Sequence, residues 1–391
     1  MIEEIKVKSI VKIAEIYILR IFMRLLYVFP IKNNRIVINS YRGSQYSCNP
    51  KYISEYLVTQ YPGRFEIIWA FNYPKEFYGL KKQYNYKLVK YNSFRRFYYE
   101  ATCKVSINNI GSFSWFPVRK GQEHINTWHG SFGSKKCGLD EENNDKLMKK
   151  TIQMSSNNTT LMTATSENFI KFICKDDLGY NGKILKCGYP RNDIFFSIAR
   201  MENVRKKVER FFSIDSGCFI VLYAPTWRYD TKKELVHPDF LEIKKSLERK
   251  FGKSVVILFR MHHLSKYKEE SSEFICNATK YPDMQELLCA ADLLITDYST
   301  SIWDFAITKK PIVLFTPDLR AYIDKRGLHE SIYNWGFPVC WQNDEIIKCF
   351  KNLDLQESKE QDERFILRAA SFENGIASQR VAQYILQLND L

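Results

Sequence analysis

A chain of 391 residues, 45% of them hydrophobic, is too long for one ordinary core and suits two domains. Its formal charge of +14 and isoelectric point near 9.1 point to an anionic partner: nucleic acid, a membrane surface or phosphorylated substrates. Ten scattered cysteines without Cys-x-x-Cys pairs argue against a zinc site or redox motif, and for reduced core residues in a cytosolic protein.

The first thirty residues contain an apolar run, Ile16 to Pro30, that Arg20 and Arg24 interrupt. It is shorter than the roughly 20 residues of a membrane span, and no small-residue cleavage site follows it. On a helical projection Val7, Val11, Ala14, Ile18, Ile21 and Leu25 share one face, and Lys8, Lys12, Arg20 and Arg24 fall elsewhere. Residues 1–30 are therefore expected to form an amphipathic basic helix, lying either in an anionic bilayer surface or against the protein's own body.

After Pro30, short β-rich runs alternate with helical stretches, the pattern of parallel sheets covered by helices. Strands are expected at Arg35–Asn39, Glu66–Phe71, Cys103–Asn108, Ile125–Trp128 and Leu161–Thr165, with helices such as Pro50–Tyr61 and Ser93–Ala101 between them. A charged helix, Glu202 to Phe212, and the turn Ser213–Gly217 precede a second series: Phe219–Ala224, Val255–Phe259, Leu293–Thr296 and Pro311–Phe315. The expected architecture is two Rossmann-like doubly wound α/β domains, residues 31–212 and 213–391, with ligands beyond the carboxyl ends of the strands in the cleft between them. A final helix near Ser378–Leu388 closes back on one of the two.

Chemistry-bearing residues gather just after the strands. Asn126-Thr127-Trp128-His129-Gly130-Ser131 ends an apolar run with a histidine and a glycine; the histidine is either a packed structural residue or one that moves a proton. Gly188-Tyr189-Pro190-Arg191-Asn192-Asp193 is a turn near the end of the first domain. Leu222 to Arg228 ends a strand with proline, hydroxyl, indole and guanidinium, suited to a phosphate or a base, or to a turn whose Trp227 covers the core edge. Leu258-Phe259-Arg260-Met261-His262-His263 places histidines one strand later, without the carboxylate or cysteine that would complete a metal set. Leu293 to Ala306 reads as strand, hydroxyl-rich turn and helix, so Ser299 to Ser301 either bind an anion or cap the helix. There is no Gly-x-Gly-x-x-Gly, Walker loop, Gly-x-Ser-x-Gly or Asp-x-Asp motif, which lowers the standing of hydride transfer, NTP hydrolysis and serine hydrolysis.

Taken in order, Trp128-His129-Gly130-Ser131, Gly188 to Asp193, Ala224 to Arg228, Arg260-Met261-His262 and Thr296 to Thr300 resemble the CDP-glycerol glycerophosphotransferases, the teichoic-acid primases and polymerases. Ser40 to Pro50 looks like that family's opening strand-turn-helix, and the resemblance runs from about Arg35 to Phe372. It implies a GT-B fold, metal-independent polyol-phosphate transfer with no cofactor beyond a CDP-glycerol or CDP-ribitol donor, and peripheral attachment to the cytoplasmic face of a bacterial membrane. The acceptor would be a lipid-linked glycan or polyol-phosphate polymer, and nucleic acid is not an expected partner. Carried across, the resemblance makes His129 the general base and His262 a partner of the donor phosphates. Trp128, Gly130, Ser131, Phe132, Arg191, Pro225, Thr226, Arg228, His263, Ser299, Thr300 and Asp304 would line the donor site. The family's Trp-His-Gly-Thr-Pro-Leu reads Trp128-His129-Gly130-Ser131-Phe132-Gly133 here, a departure next to the histidine. The alternatives are a ribitolphosphotransferase, a GT-B sugar-nucleotide glycosyltransferase and, in a different class, a non-catalytic polyanion or membrane binder.

Overall fold

A computed structural model of the chain describes residues 2–111, 113–141, 145–226, 228, 236–261 and 271–389. They form two compact units, each built on a parallel sheet.

The first sheet consists of β1 (Lys32–Ile38), β2 (Glu66–Phe71), β3 (Lys87–Lys90), β4 (Cys103–Asn108), β5 (Glu123–Asn126), β6 (Leu161–Ala164) and β7 (Lys183–Lys186), in the order β3-β2-β1-β4-β5-β6-β7. Ile36 pairs with Ile67 on one side and Val105 on the other, and neighbours point to opposite faces. Ile36, Ile38, Trp69 and Val105 bury one face together with Val381 and Ile385 of the helix Ala377–Asn389. Val37, Ile68, Ala70 and Val89 bury the other together with Tyr99 of the helix Phe94–Thr102. Central strands covered on both faces need near-continuous apolar runs, and the sequence supplies them.

The second sheet consists of β8 (Phe219–Tyr223), β9 (Val255–Phe259), β10 (Ile275–Asn277), β11 (Leu293–Thr296), β12 (Ile312–Phe315) and β13 (Val339–Cys340), in the order β10-β9-β8-β11-β12-β13. Val221, Ile257, Ile295 and Val313 pack with Ile243 and Leu247 of the helix Phe240–Phe251, and with Ile346 and Phe350 of Asn343–Asn352. Asp239 starts the first of these helices by accepting from the N–H groups of Leu241 and Glu242.

The division between units differs from the expected one at 212/213. The first unit comprises Met1–Gly130, Cys137–Asp193 and Phe372–Leu391; the second comprises Ser131–Lys136 and Ile194–Ser371. The helix Ile198–Phe212 joins the second unit because Arg205 reaches the Ala290 carbonyl, Asp292 and the Cys218 carbonyl, and Lys207 pairs with Glu286. The final helix joins the first unit: the Asp193 carboxylate accepts from the N–H groups of Ala377 and Ser378 at its start. None of the ten cysteines is in a disulfide, and seven are buried.

The N-terminal helix Ile2–Leu25 packs one side against the protein's own body and leaves the other exposed. Ile16 and Met23 are 1% exposed, and Met23 and Leu26 pack on Ala101 and Phe116 while Arg20 donates to the Ser114 carbonyl. The stripe Val11, Ala14, Ile18, Ile21 and Leu25 faces outward, with Ile18 65% and Leu25 68% exposed. No described helix is long and apolar enough to cross a membrane.

In the second unit, Asp362 of the helix Leu355–Arg368 is 1% exposed, and neither carboxylate oxygen has a hydrogen-bond partner. Burial, and secondarily the neighbouring Glu363, push its pKa up to about 9 against the pull of Lys309, which is itself paired with Glu363. The folded state therefore holds a proton that the unfolded chain releases above its ordinary carboxyl range, so this site loses stability as pH rises from about 4 toward 9. Asp362→Asn should flatten that dependence, which amounts to at most about 1.4 kcal/mol per pH unit, and raise the melting temperature more at pH 8 than at pH 5. Parallel melting curves for wild type and variant across that range would contradict a buried neutral carboxyl.

Candidate active site

β1, β4, β5 and β7 all end at one edge of the first sheet, and the residues that follow them converge on His129. β5 stops at Asn126, two residues short of the expected strand, because Trp128 takes a left-handed conformation at φ +50°. Such backbone costs on the order of 1–3 kcal/mol for a non-glycine residue and persists only where its surroundings impose it. Here the carbonyls of four consecutive residues accept from side chains. Asn49 Nδ2 donates to Thr127 and Trp128, Arg191 Nη1 to His129 at 2.8 Å, and Tyr189 Oη to Gly130. The Trp128 N–H donates to Asn126 Oδ1, and the Trp128 ring lies 4.7 Å from the His129 ring.

His129 is half-buried, and its Nδ1 lies 2.8 Å from the Asn109 carbonyl oxygen. A carbonyl only accepts, so Nδ1 carries a proton, and the lone pair of the neutral form of the ring is then at Nε2. This is the tautomer that a general base needs. His124, within β5 itself, is a contrast: it is buried, stacked on Phe113 and bonded to the Asn158 carbonyl, and burial pushes its pKa down to about 4. It is a structural histidine.

The opening loop of the first unit reaches the same place. Tyr41, Arg42 and Cys48 have φ of +46°, +53° and +61°, which with Trp128 makes half of the eight such non-glycine residues described. The Tyr41 N–H donates to Asn109 Oδ1, and its ring meets His129 edge-on at 5.6 Å.

In the second unit, β8 and β11 end side by side. Asp297 accepts from the Thr226 N–H on both oxygens, from the Tyr298 N–H, and from Arg228 at 2.8 Å. Arg228 also grips Asp318 through Nε and Nη2, and its Cζ lies 5.0 Å from the ring centroids of both Tyr298 and Tyr322, which stack on each other at 3.8 Å. Burial disfavours its charge, but the two carboxylates more than compensate and raise its pKa. Pro225 is buried. The buried Thr226 Oγ1 makes no hydrogen bond among the described residues. Ser299 Oγ accepts from Ser301, whereas Thr300, at the start of the helix Ser301–Ala306, makes no capping bond with its side chain.

Several expected donor contacts are therefore engaged elsewhere. Arg191 holds the back of the histidine turn, and Arg228 clamps two loops through the buried Asp297 and the half-buried Asp318. Phe132 is 3% exposed and packs on Trp303, Trp335 and Phe365, because its segment enters the second core. Buried Ser131 donates to Asp304, which also accepts from Gln285. His262, His263 and Trp227 lie outside the described residues. Sequence reasoning missed Asn49, Asn109, Asp297, Asp318 and Glu373; the last accepts from the Tyr189 N–H and Asn192 and fixes the Gly188–Asp193 turn.

A family model for CDP-Glycerol:Poly(glycerophosphate) glycerophosphotransferase matches residues 21–387. The chain is 26% identical over 382 residues to the teichoic acid poly(glycerol phosphate) polymerase of Bacillus spizizenii, covering 94% of this chain and 95% of that one. It is 28% identical to the teichoic acid glycerol-phosphate transferase of Staphylococcus aureus, over 93% of this chain and 95% of that one. It spans only about half, 49%, of the polymerase of Bacillus subtilis. The solved wall teichoic acid polymerase TagF superposes with a TM-score of 0.81 at 25% identity, covering 98% of this chain and 97% of that one, which places the two parallel-sheet units in a GT-B-like fold. The motifs at the strand ends and the match along nearly the whole chain lead to one assignment: the chain belongs to the CDP-glycerol:poly(glycerophosphate) glycerophosphotransferase family.

Proposed function

We propose that this protein transfers glycerol phosphate from CDP-glycerol to a hydroxyl of a lipid-linked or polymeric teichoic-acid-type acceptor and releases CMP. The observation that carries the reading is the placement of His129 just after β5, with its Nδ1–H donated to the Asn109 carbonyl, an orientation that makes Nε2 the proton-accepting atom. The acceptor hydroxyl loses its proton to Nε2 as its oxygen attacks the β-phosphorus; the bond from that phosphorus to the bridging oxygen breaks, and CMP departs with it. The free hydroxyls of Thr226 and Thr300 support contact with the donor phosphates, and by family resemblance His262 neutralises charge there. Glycerol ranks ahead of ribitol because the glycerol-phosphate relatives match at 26–29% over nine-tenths of the chain, whereas the ribitol-phosphate relatives match at 24–26%, the polymerases among them over 68–69% of it. Incubation with CDP-glycerol or CDP-ribitol and a lipid-linked acceptor, read by CMP release and product mass, decides between them.

His129→Ala should lower the rate of CMP release roughly 10²–10⁴-fold while the circular dichroism spectrum is unchanged. A fully active variant would remove His129 from the reaction.

Thr226→Val and Thr300→Val should raise KM for CDP-glycerol by about 2–10-fold, the worth of one hydrogen bond, without lowering the melting temperature. If Thr300→Val instead loses about 1 kcal/mol of stability and keeps its KM, the hydroxyl is a helix cap and not a ligand contact.

Attachment to an anionic bilayer through the outward stripe of the N-terminal helix completes the proposal. The basic neighbours Arg20 and Arg24 would add about 1 kcal/mol each at such a surface. Because Ile16 and Met23 pack on the body, the informative change is Ile18→Asp with Ile21→Asp, which leaves that packing in place. The double variant should stay folded and lose most sedimentation with anionic liposomes; unchanged sedimentation would exclude the stripe as the anchor.

A further inference from the structure

The loop after β1 holds three left-handed residues in succession, Tyr41, Arg42 and Gly43, at φ +46°, +53° and +78°. Only the third is a glycine, and it has a plain steric reason: a Cβ there would stand 2.9 Å from the Ala70 carbonyl oxygen and from the Tyr91 ring. The loop is fixed on every side. The Gly43 N–H donates to the Ser40 carbonyl, the Asn72 N–H to the Gly43 carbonyl at 2.7 Å, the Ser44 hydroxyl to the Tyr41 carbonyl, and the Tyr41 N–H to Asn109 Oδ1. Glycine or asparagine would adopt this backbone at lower cost than arginine. Yet Arg42 is exposed, and among the described residues its guanidinium has no ion pair, hydrogen bond or ring contact. The neighbouring Tyr41 ring touches His129, and Tyr41 and His129 are anchored to the same residue, Asn109. A strained backbone thus holds an uncommitted planar cation one residue along the chain from the ring that meets the base, a local cost with no return inside the fold.

We propose that Arg42 binds an acceptor phosphodiester close to the reacting hydroxyl, making the first unit selective for anionic acceptors. The inference rests on the transferase reading above. A guanidinium forms two parallel charge-assisted hydrogen bonds to phosphate oxygens, so it fixes the orientation of the chain that carries the hydroxyl as well as its charge. Arg191, Arg228 and Arg260, the other arginines of the motifs, each donate to protein acceptors. The phosphodiester belongs either to the growing polyol-phosphate polymer or to the diphosphate of a lipid carrier; the recognition chemistry is the same.

The test compares a glycerol-phosphate dimer with its phosphate methyl triester, which differ in one charge, and with a lipid-diphosphate-linked primer. Arg42→Asn, which suits the left-handed backbone, should fold with a melting temperature equal to or above that of wild type. Its preference for diester over triester, as the ratio of kcat/KM values, should fall about 10–100-fold, the worth of hydrogen bonds to a charged group, mainly through KM. Arg42→Lys should keep part of the preference. Loss with the dimer assigns the contact to the polymer, and loss with the primer alone assigns it to the carrier. A diester-to-triester ratio and a primer kcat/KM that are both unchanged, or an equal fall for diester and triester, overturn the proposal. If wild type releases no CMP from CDP-glycerol with any acceptor, the transferase reading fails, and this inference fails with it.

Discussion

Everything at the first site depends on the left-handed turn at Trp128 and on the four carbonyls beside it that side chains hold. The turn decides that β5 ends at Asn126 and that His129 leaves the sheet with Nδ1 over the Asn109 carbonyl. The donors come from the helix Cys48–Gln60 and the turn after β7, so elements far apart in the chain share one geometric task. Parallel pairing makes that convergence possible, because every strand then ends at the same edge and every loop that follows begins there.

Charge works differently at the two sheets. In the second unit, Arg228 is surrounded by Asp297 and Asp318 and covered by two tyrosine rings, so its charge is spent on holding two loops together. A buried guanidinium must have such partners, since an uncompensated charge there costs several kcal/mol. The same rule accounts for Arg191, which is 5% exposed and serves a carbonyl. Arginines read from a motif as phosphate ligands can therefore be the fasteners of the loops that carry the ligands.

The nine strands expected from sequence all exist, and the four that escaped notice, β3, β7, β10 and β13, are the four sheet edges. β3 and β7 read Lys-Leu-Val-Lys and Lys-Ile-Leu-Lys, with exposed lysines at their ends; edge strands carry such charges to discourage pairing with other chains, and this hides them from a search for apolar runs. β10 and β13 have three residues and two, too few to show a period. At the site, His129 and the hydroxyl loops were legible because they sit in short motifs. Asn49 and Glu373 were not, since their partners lie 78 and 184 residues away and no local pattern encodes such a contact.

The interleaving of the two units bears on how the protein is made. All the strands of the first sheet have been synthesised by Lys186, but the helix that supplies Val381 and Ile385 to one of its faces is nearly the last element of the sequence. The second unit, from Ile194 to Ser371, is completed in between. At about 5–20 residues per second, the apolar face of Ile36, Ile38, Trp69 and Val105 waits on the order of 10–40 s for its cover. During biosynthesis the second unit can close before the helix Ala377–Asn389, which completes this face beside Ile53 and Leu57, has been made.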